Sequence, residues 1–351
     1  MAHAGVDALL VGPGADLRYL VDHEAPPLER LTLLVVPAAG EAALVLPQLE
    51  APLAERAGEQ VELLPWSETE DPVALVVDRL AAAGADTGTL AVQDRLWTMF
   101  TLSLQAALPA ARWVPGSRVL GELRLRKEPE EIRALHAAGA AIDRVHARVP
   151  ELLRPGRTEQ EVAADLDRLI REEHDVVNFV IVGSGPNGAS PHHEAGDRRL
   201  EPGDAVVIDI GGTREGYCSD MTRDYAVGHM PEGYAQLHEV LERAQEAAVR
   251  AVAPGVPAEA IDAAARDVID EAGYGERFIH RTGHGIGIEE HEEPWIVAGN
   301  DRALEPGMAF SVEPGIYVPG RYGSRIEDIV VVTDDGVERC NHRPREVVVC
   351  G

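Results

Sequence analysis

Lysine is almost missing from this chain. Lys127 is the only one, so nearly all of the 32 basic side chains are arginines. Schiff-base chemistry and a phosphate-gripping loop lysine therefore have a single candidate. Its charged setting, RLRKEPEE, predicts an exposed side chain. Cysteine is also scarce: Cys218, Cys340 and Cys350 form an odd, scattered set that suits a reducing, cytoplasmic compartment better than a disulfide framework. Positive charge is short overall, since 32 basic against 60 acidic residues leave a formal charge of −28. Nucleic acid and an anionic membrane surface would repel such a chain. No stretch approaches 18 uninterrupted apolar residues, so no membrane span is expected. The first ten residues carry no Lys or Arg ahead of a short apolar run and do not read as a secretory signal. Apolar residues still make up 45% of the 351, enough for a buried core and for two ordinary domains.

What is present changes character near residue 122. Up to there, short apolar runs at Ala8 to Val11, Leu31 to Pro37 and Thr89 to Val92 alternate with helical stretches such as Trp97 to Leu108. Glu41 to Leu46 reads as a hairpin return. This mixture predicts a small α/β domain with no evident chemical cluster. The charged stretch Arg124 to Glu131 marks a boundary between domains 1–122 and 123–351. Beyond it, Ile132, Leu135, Ile142 and Val145 lie near helical spacing. Thr158 and Glu161 form a capping box ahead of the apolar stripe Val162, Leu166, Leu169 and Ile170.

The second part repeats itself. Leu-Glu-Pro-Gly at 200–203 recurs at 304–307, each copy opening an apolar strand that carries an acid, Asp209 in one and Glu313 in the other. Pro155-Gly156 and Pro254-Gly255 precede the two matching helices. Two copies of helix plus hairpin about a pseudo-twofold axis are expected. In an idealised symmetric hairpin, Asp209 faces Asp220 across a loop centred on Arg214 and Glu215, with glycines at 211, 212 and 216 around it. Glu313 likewise faces Glu327 across a loop centred on Gly320. The apolar neighbours of all four acids predict burial. Clustered buried carboxylates repel and are poorly solvated, so protons or cations must neutralise them, and two divalent ions supply the four charges. In the glycine-rich segment 280–287, His284 has glycine on both sides, which leaves room for a cation. The spacing of His280 and His284 is not a helical zinc motif, and no H-E-x-x-H occurs.

Taken together, VVIDIGGTREGYCSDMTRDY, IHRTGHGIGIEEHEEP, FSVEPGIYV and SRIEDIVVVT resemble the M24 metallopeptidase family. The resemblance implies an α+β chain: an N-terminal creatinase-like α/β domain for dimerisation and for walling the cleft, followed by a pita-bread catalytic domain. It implies that Asp209, Asp220, His284, Glu313 and Glu327 bind two divalent ions, with manganese placed ahead of cobalt, zinc or iron. Asp220 and Glu327 resemble the bridging acids. Glu313 resembles the general acid/base that serves a metal-bridging hydroxide. His192 and His291 match substrate-contacting or oxyanion-stabilising histidines, His280 matches with a weaker claim, and Arg325 matches an arginine that orients the carboxylates. His193 has no such match and reads as a surface residue.

Within the family, the length and intact ligand set point to a homodimeric Xaa-Pro dipeptidase (prolidase) acting on small peptides with proline at P1′. The alternatives are an Xaa-Pro aminopeptidase acting on longer peptides and a non-catalytic scaffold. Arg302, the only arginine between His284 and Glu313, is a candidate for the substrate carboxylate. Gly183-Ser184-Gly185-Pro186-Asn187-Gly188 fits G-x-G-x-x-G, but no helix start follows, so a dinucleotide site is not expected.

Overall fold

The short apolar runs of the leading part become the strands of one sheet. The computed structural model describes residues 1–351 as two units, Met1–Arg124 and Leu125–Gly351. In the first, β1 (Ala8–Val11), β2 (Leu33–Pro37), β3 (Ala43–Pro47), β4 (Glu62–Trp66), β5 (Thr89–Val92) and β6 (Arg112–Pro115) pair in the order β4-β3-β2-β1-β5-β6. Strand β2 is antiparallel to both neighbours, and the remaining pairs are parallel. Helices α1 (Ala15–Val21), α2 (Glu55–Gly58), α3 (Pro72–Ala82), α4 (Thr98–Ala107) and α5 (Ser117–Leu125) accompany it. Successive residues of β1 enter different cores: Leu9 and Val11 join Leu17 and Ala57, whereas Ala8 and Leu10 join Val76 and Leu104. Burial on both faces makes such a strand an unbroken apolar run. Strands β4 and β6, with charged, tryptophan and proline residues, carry no comparable signal.

The second unit contains helices α6 (Pro129–Leu152), α7 (Glu159–Glu173), α8 (Tyr234–Ala251) and α9 (Ala258–Glu271). Its strands are β7 (Val176–Ser184), β8 (Ala205–Arg214), β9 (Tyr217–Val227), β10 (Gly283–Gly285), β11 (Glu292–Ile296), β12 (Ala309–Val312), β13 (Gly315–Val318), β14 (Tyr322–Arg325), β15 (Asp328–Val332), β16 (Val337–Arg339) and β17 (Val348–Cys350). They form sheets ordered β17-β9-β8-β7 and β11-β10-β12-β15-β16, plus the pair β13-β14. No helix is long and apolar enough to cross a membrane. The expected capping box starts α7: Thr158 Oγ1 accepts from the Glu161 N–H at 3.1 Å, and Glu161 Oε2 accepts from the Thr158 N–H at 2.9 Å. Val162, Leu166, Leu169 and Ile170 are all buried behind it.

The internal repeat is structural. Gly156 donates to the Leu200 carbonyl at 2.8 Å, and Gly255 donates to the Leu304 carbonyl at the same distance. Isolated bridges join Thr158 to Arg199 and Pro257 to Ala303. In each copy the same turn ties the helix start to the residues that open the strand carrying the acid.

The first hairpin departs from the expected register. Arg214 pairs with Tyr217, so the turn is Glu215-Gly216, both with positive φ (49° and 84°). This two-residue turn matches the twist of paired strands. Asp209 therefore faces Thr222, and Asp220 faces Gly211. The two acids are diagonal neighbours on one face instead of a direct pair. Gly211 and Gly212 belong to the strand rather than the loop. A Cβ on Gly212 would come within 2.8 Å of the His174 ring, and one on Gly211 within 2.7 Å of the Ser219 carbonyl. The second hairpin keeps its expected register. Gly315 pairs with Arg325 and Val312 with Asp328, on either side of Glu313 and Glu327.

Lys127 is not exposed. Its side chain is 1% accessible and forms an ion pair with the buried Glu292. Its neighbours in sequence are charged, but the ammonium turns inward to the strand that follows His291.

Candidate metal centre

Five side chains from both halves meet in one place. Asp209 lies mid-strand on β8, Asp220 on β9 and His284 on β10, while Glu313 joins β12 to β13 and Glu327 joins β14 to β15. The two glutamates sit where their strands leave the ladder. The Glu313 N–H donates to the Thr282 carbonyl at 2.8 Å, and the Glu327 N–H donates to the Thr222 carbonyl at 3.2 Å. Asp209, Asp220, His284 and Glu327 are buried and Glu313 is half-buried. All five line a cavity of about 810 Å³, together with His192, His280, His291 and Arg325.

Ligand atoms of Asp220, His284 and Glu327 lie within 4.8 Å of one another. His284 Nε2 lies 3.2 Å from Glu313 Oε1 and 3.8 Å from Asp220 Oδ2. The other ring nitrogen, Nδ1, is 3.1 Å from the Gly285 carbonyl oxygen, a partner that only an N–H can serve. Nε2 is thereby left with its lone pair among the carboxylates. Burial, with His291 nearby, pushes the His284 pKa down to about 3, so the ring is neutral. The glycines on either side of it serve strand packing: a Cβ on Gly283 would strike the Ser311 carbonyl, and one on Gly285 the Glu293 carbonyl.

The acids are held in the wrong medium for their charge. Burial, then the charges of Glu327 and Asp209, raises Asp220 well above the ordinary carboxylate range. Burial, then Glu313 and Asp209, does the same to Glu327. Burial raises Glu313 to about 7, with Asp209 adding to the shift and Arg325 opposing it. Asp209 Oδ1, Asp220 Oδ1 and Glu327 Oε1 are buried and accept no hydrogen bond. Orphaned anionic oxygens beside an imidazole lone pair suit an oxygen-rich divalent cation site. The residues present therefore fit a metal centre.

Arg325 organises the wall of this cluster. Its Nη2 donates to Asp209 Oδ2 at 2.6 Å and to the Pro191 carbonyl at 3.3 Å, Nε to Thr222 Oγ1 at 3.1 Å, and Nη1 to the Tyr317 hydroxyl at 2.9 Å. Thr222 in turn donates to Glu327 Oε2 at 2.8 Å, and Ser311 donates to Glu313 Oε1 at 3.1 Å. Thr222, Tyr317 and Ser311 escaped the sequence reading. The one signal for Thr222 is its place two residues after Asp220, hence on the same strand face.

The histidines divide. His291 stands edge-on to His284, with ring centroids 4.0 Å apart. His192 and His291 both present exposed rings to the cavity. His280 has both ring nitrogens engaged, one by the Arg281 carbonyl at 2.7 Å and one by the Tyr317 hydroxyl at 2.8 Å. His193, expected at the surface, is half-buried, with Nε2 2.8 Å from Glu159 Oε2. Arg302 does not line the cavity, and its guanidinium lies 3.9 Å from Glu293. The lining arginine that sequence reasoning missed is Arg281, stacked 4.4 Å from the Trp295 ring centroid. The G-x-G-x-x-G stretch ends β7 and forms the 3₁₀ turn Gly185–Ala189.

Comparison with known proteins agrees with this geometry. The model of metallopeptidase family M24 matches residues 133–334, and that of the creatinase/prolidase N-terminal domain matches residues 1–126. A Mycobacterium tuberculosis protein described as "Probable dipeptidase PepE" is 54% identical over 99% of this chain and 93% of its own length. An Xaa-Pro dipeptidase of Lactobacillus helveticus is 37% identical over 95% of this chain and 92% of its own. The crystal structure of dipeptidase PepE from Mycobacterium ulcerans superposes with a TM-score of 0.95 at 52% identity, covering 99% of this chain and 94% of that one.

Proposed function

The chain belongs to metallopeptidase family M24, and from that membership and the buried acid cluster we propose that it is a dipeptidase that hydrolyses the bond between a first residue and a following proline. The observation that carries this reading is the gathering of Asp220, Glu313 and Glu327 around His284 in a cavity that Asp209 also lines, with three buried carboxylate oxygens left unpartnered. Asp209, Asp220, His284, Glu313 and Glu327 would hold two divalent ions, manganese first. When bound, such ions polarise a scissile carbonyl and lower the pKa of water from 15.7 to about 7.

The chain's own residues do the rest. Glu313 takes the proton of the attacking water and passes it to the departing proline nitrogen. His192 and His291 hold the carbonyl oxygen as it gains charge. Arg325 keeps Asp209 oriented. Arg281 receives the free carboxylate of the dipeptide, and Phe179 and Ile181 supply an apolar wall for a side chain. Three buried free cysteines support a cytoplasmic setting. Exposed Trp97, Met99 and Leu102 on the leading unit support pairing of two copies.

The test offers Leu-Pro and Leu-Pro-Pro-Xaa peptides side by side to the manganese-loaded protein. Cleavage of Leu-Pro alone is expected. Cleavage of the longer peptide instead makes the protein an aminopeptidase. A loaded preparation that cleaves neither is a cation-binding scaffold.

A further inference from the structure

Glu159 is a buried carboxylate outside the cluster just described. It follows the N-cap Thr158 of α7, and its side chain is 0% exposed. Oε1 accepts from the Ser184 N–H at 2.8 Å, from Ser184 Oγ at 2.6 Å and from Asn187 Nδ2 at 3.1 Å. Oε2 accepts from Asn187 Nδ2 at 3.1 Å and from the Gly196 N–H at 3.3 Å, and faces His193 Nε2 at 2.8 Å. A carboxylate left alone at this depth would take up a proton. Here the hydrogen bonds and the start of a 15-residue helix keep it charged.

Every one of these anchors lies in the segment 184–196. Between Asn187 and His193 that segment carries Ser190, Pro191 and His192, all of which line the catalytic cavity. The Pro191 carbonyl is gripped from the other side by Arg325 at 3.3 Å. The His192 ring itself is exposed to the cavity, so its place is set by the main chain beneath it. The adjacent residue, His193, does not line the cavity and is pinned to Glu159.

The other half of the repeat uses the same device. Asp262, buried on α9, accepts from the Thr282 N–H at 3.1 Å and from Thr282 Oγ1 at 2.7 Å. Ser184 gives Glu159 the same two donors. Thr282 lies two residues before His284. In each copy a helix carboxylate clamps the N–H and O–H of one hydroxyl residue, and a cavity histidine follows on the clamped segment.

We infer that Glu159 and His193 form a clamp that positions His192 against the substrate. Both are positioning residues, and neither touches the reacting atoms. This rests on the hydrolytic reading above only in so far as His192 contacts substrate.

The test is a cycle of variants at 192 and 193, measured on the manganese-loaded protein with Leu-Pro. His193→Ala should lower kcat/KM by about tenfold to a hundredfold, the scale of a misplaced contact. His193→Gln, which keeps a donor for Glu159, should restore most of the loss. In a His192→Ala background, adding His193→Ala should change kcat/KM by less than about twofold. Losses that multiply would overturn the clamp. A second readout needs no activity: the ring signal of His192 in proton–carbon NMR of the metal-free protein, assigned from its disappearance in His192→Ala. It should shift or broaden in His193→Ala and return in His193→Gln. An unmoved signal would also overturn the proposal, because a merely structural role lowers the melting temperature and leaves both readouts alone. If the wild-type protein cleaves no proline peptide, the hydrolytic reading fails while the NMR arm still decides the clamp.

Discussion

Arg325 Nη2 donates to Asp209 Oδ2 at 2.6 Å, tying the second hairpin to the middle of the first. The same guanidinium reaches Thr222, Tyr317 and the carbonyl beneath His192, so one cation fixes an acid of the centre and the wall beside it. Arg325→Gln should weaken divalent-ion affinity by about 10- to 100-fold, the usual cost of losing a partner that orients a ligand. Calorimetric titration of manganese into chelator-stripped protein checks this. Unchanged affinity would mean that Asp209 orients itself.

Glu313 is the acid whose carboxyl sits near 7. Glu313→Gln should reduce kcat by about 10²- to 10⁴-fold, the contribution of a positioned proton carrier. It should leave the melting temperature of the metal-free protein unchanged or raised, since one of several crowded negative charges is gone. Steady-state kinetics with a parallel thermal melt separates the two effects. A variant with wild-type turnover removes Glu313 from the mechanism.

The pH dependence of stability has opposing parts. Burial lowers His146 and His284 to about 3 and His280 to about 4, so these rings resist protonation in the fold. Their contribution is present above the unfolded histidine pKa of about 6.5 and is lost as pH falls below it. Asp220, Glu327 and Glu313 are raised, so the folded state binds more protons than the unfolded one above the ordinary carboxylate range. Their contribution is lost as pH rises through the folded pKa values. Between about pH 6.5 and 8 the histidine contribution is full and no longer changes, so the raised acids set the slope and the metal-free protein should lose stability with rising pH. Manganese should flatten that slope by supplying the missing charge. Urea midpoints with and without chelator measure it; a metal-free midpoint that climbs with pH contradicts the cluster.

Lys127 and Glu292 are both buried. Removing one partner of such a pair costs about 3–5 kcal/mol, because the other charge is stranded. Lys127→Met alone should therefore destabilise by about that amount, and adding Glu292→Leu should recover much of it. Denaturant unfolding of both variants tests the pair. A double variant no better than the single would show that the remaining contacts of Lys127 matter more.

The gathering of the four acids was legible because they lie in two copies of one pattern, and His284 joined them through the resemblance of its glycine-rich segment. Asp209, Asp220, His284, Glu313 and Glu327 lie in or beside short apolar strands, and both the repeat and the second hairpin register can be read from spacing and turn residues alone. The first register could not. Glycines at 211 and 212 look like turn chemistry, yet they make way for the rings of Phe179 and His174, which come from outside the hairpin.

Composition, repeat and capping pattern belong to the sequence alone, because they rest on neighbours a few residues apart. The charged surroundings of Lys127 and the exposed look of His193 misled for the same reason: local context says nothing of Glu292, 165 residues away, or of Glu159, 34 residues away. Only the tertiary structure brought those carboxylates to them. It also decided which acid oxygens are left without a partner, since burial and the reach of Arg325, Thr222 and Ser311 are properties of the packed chain.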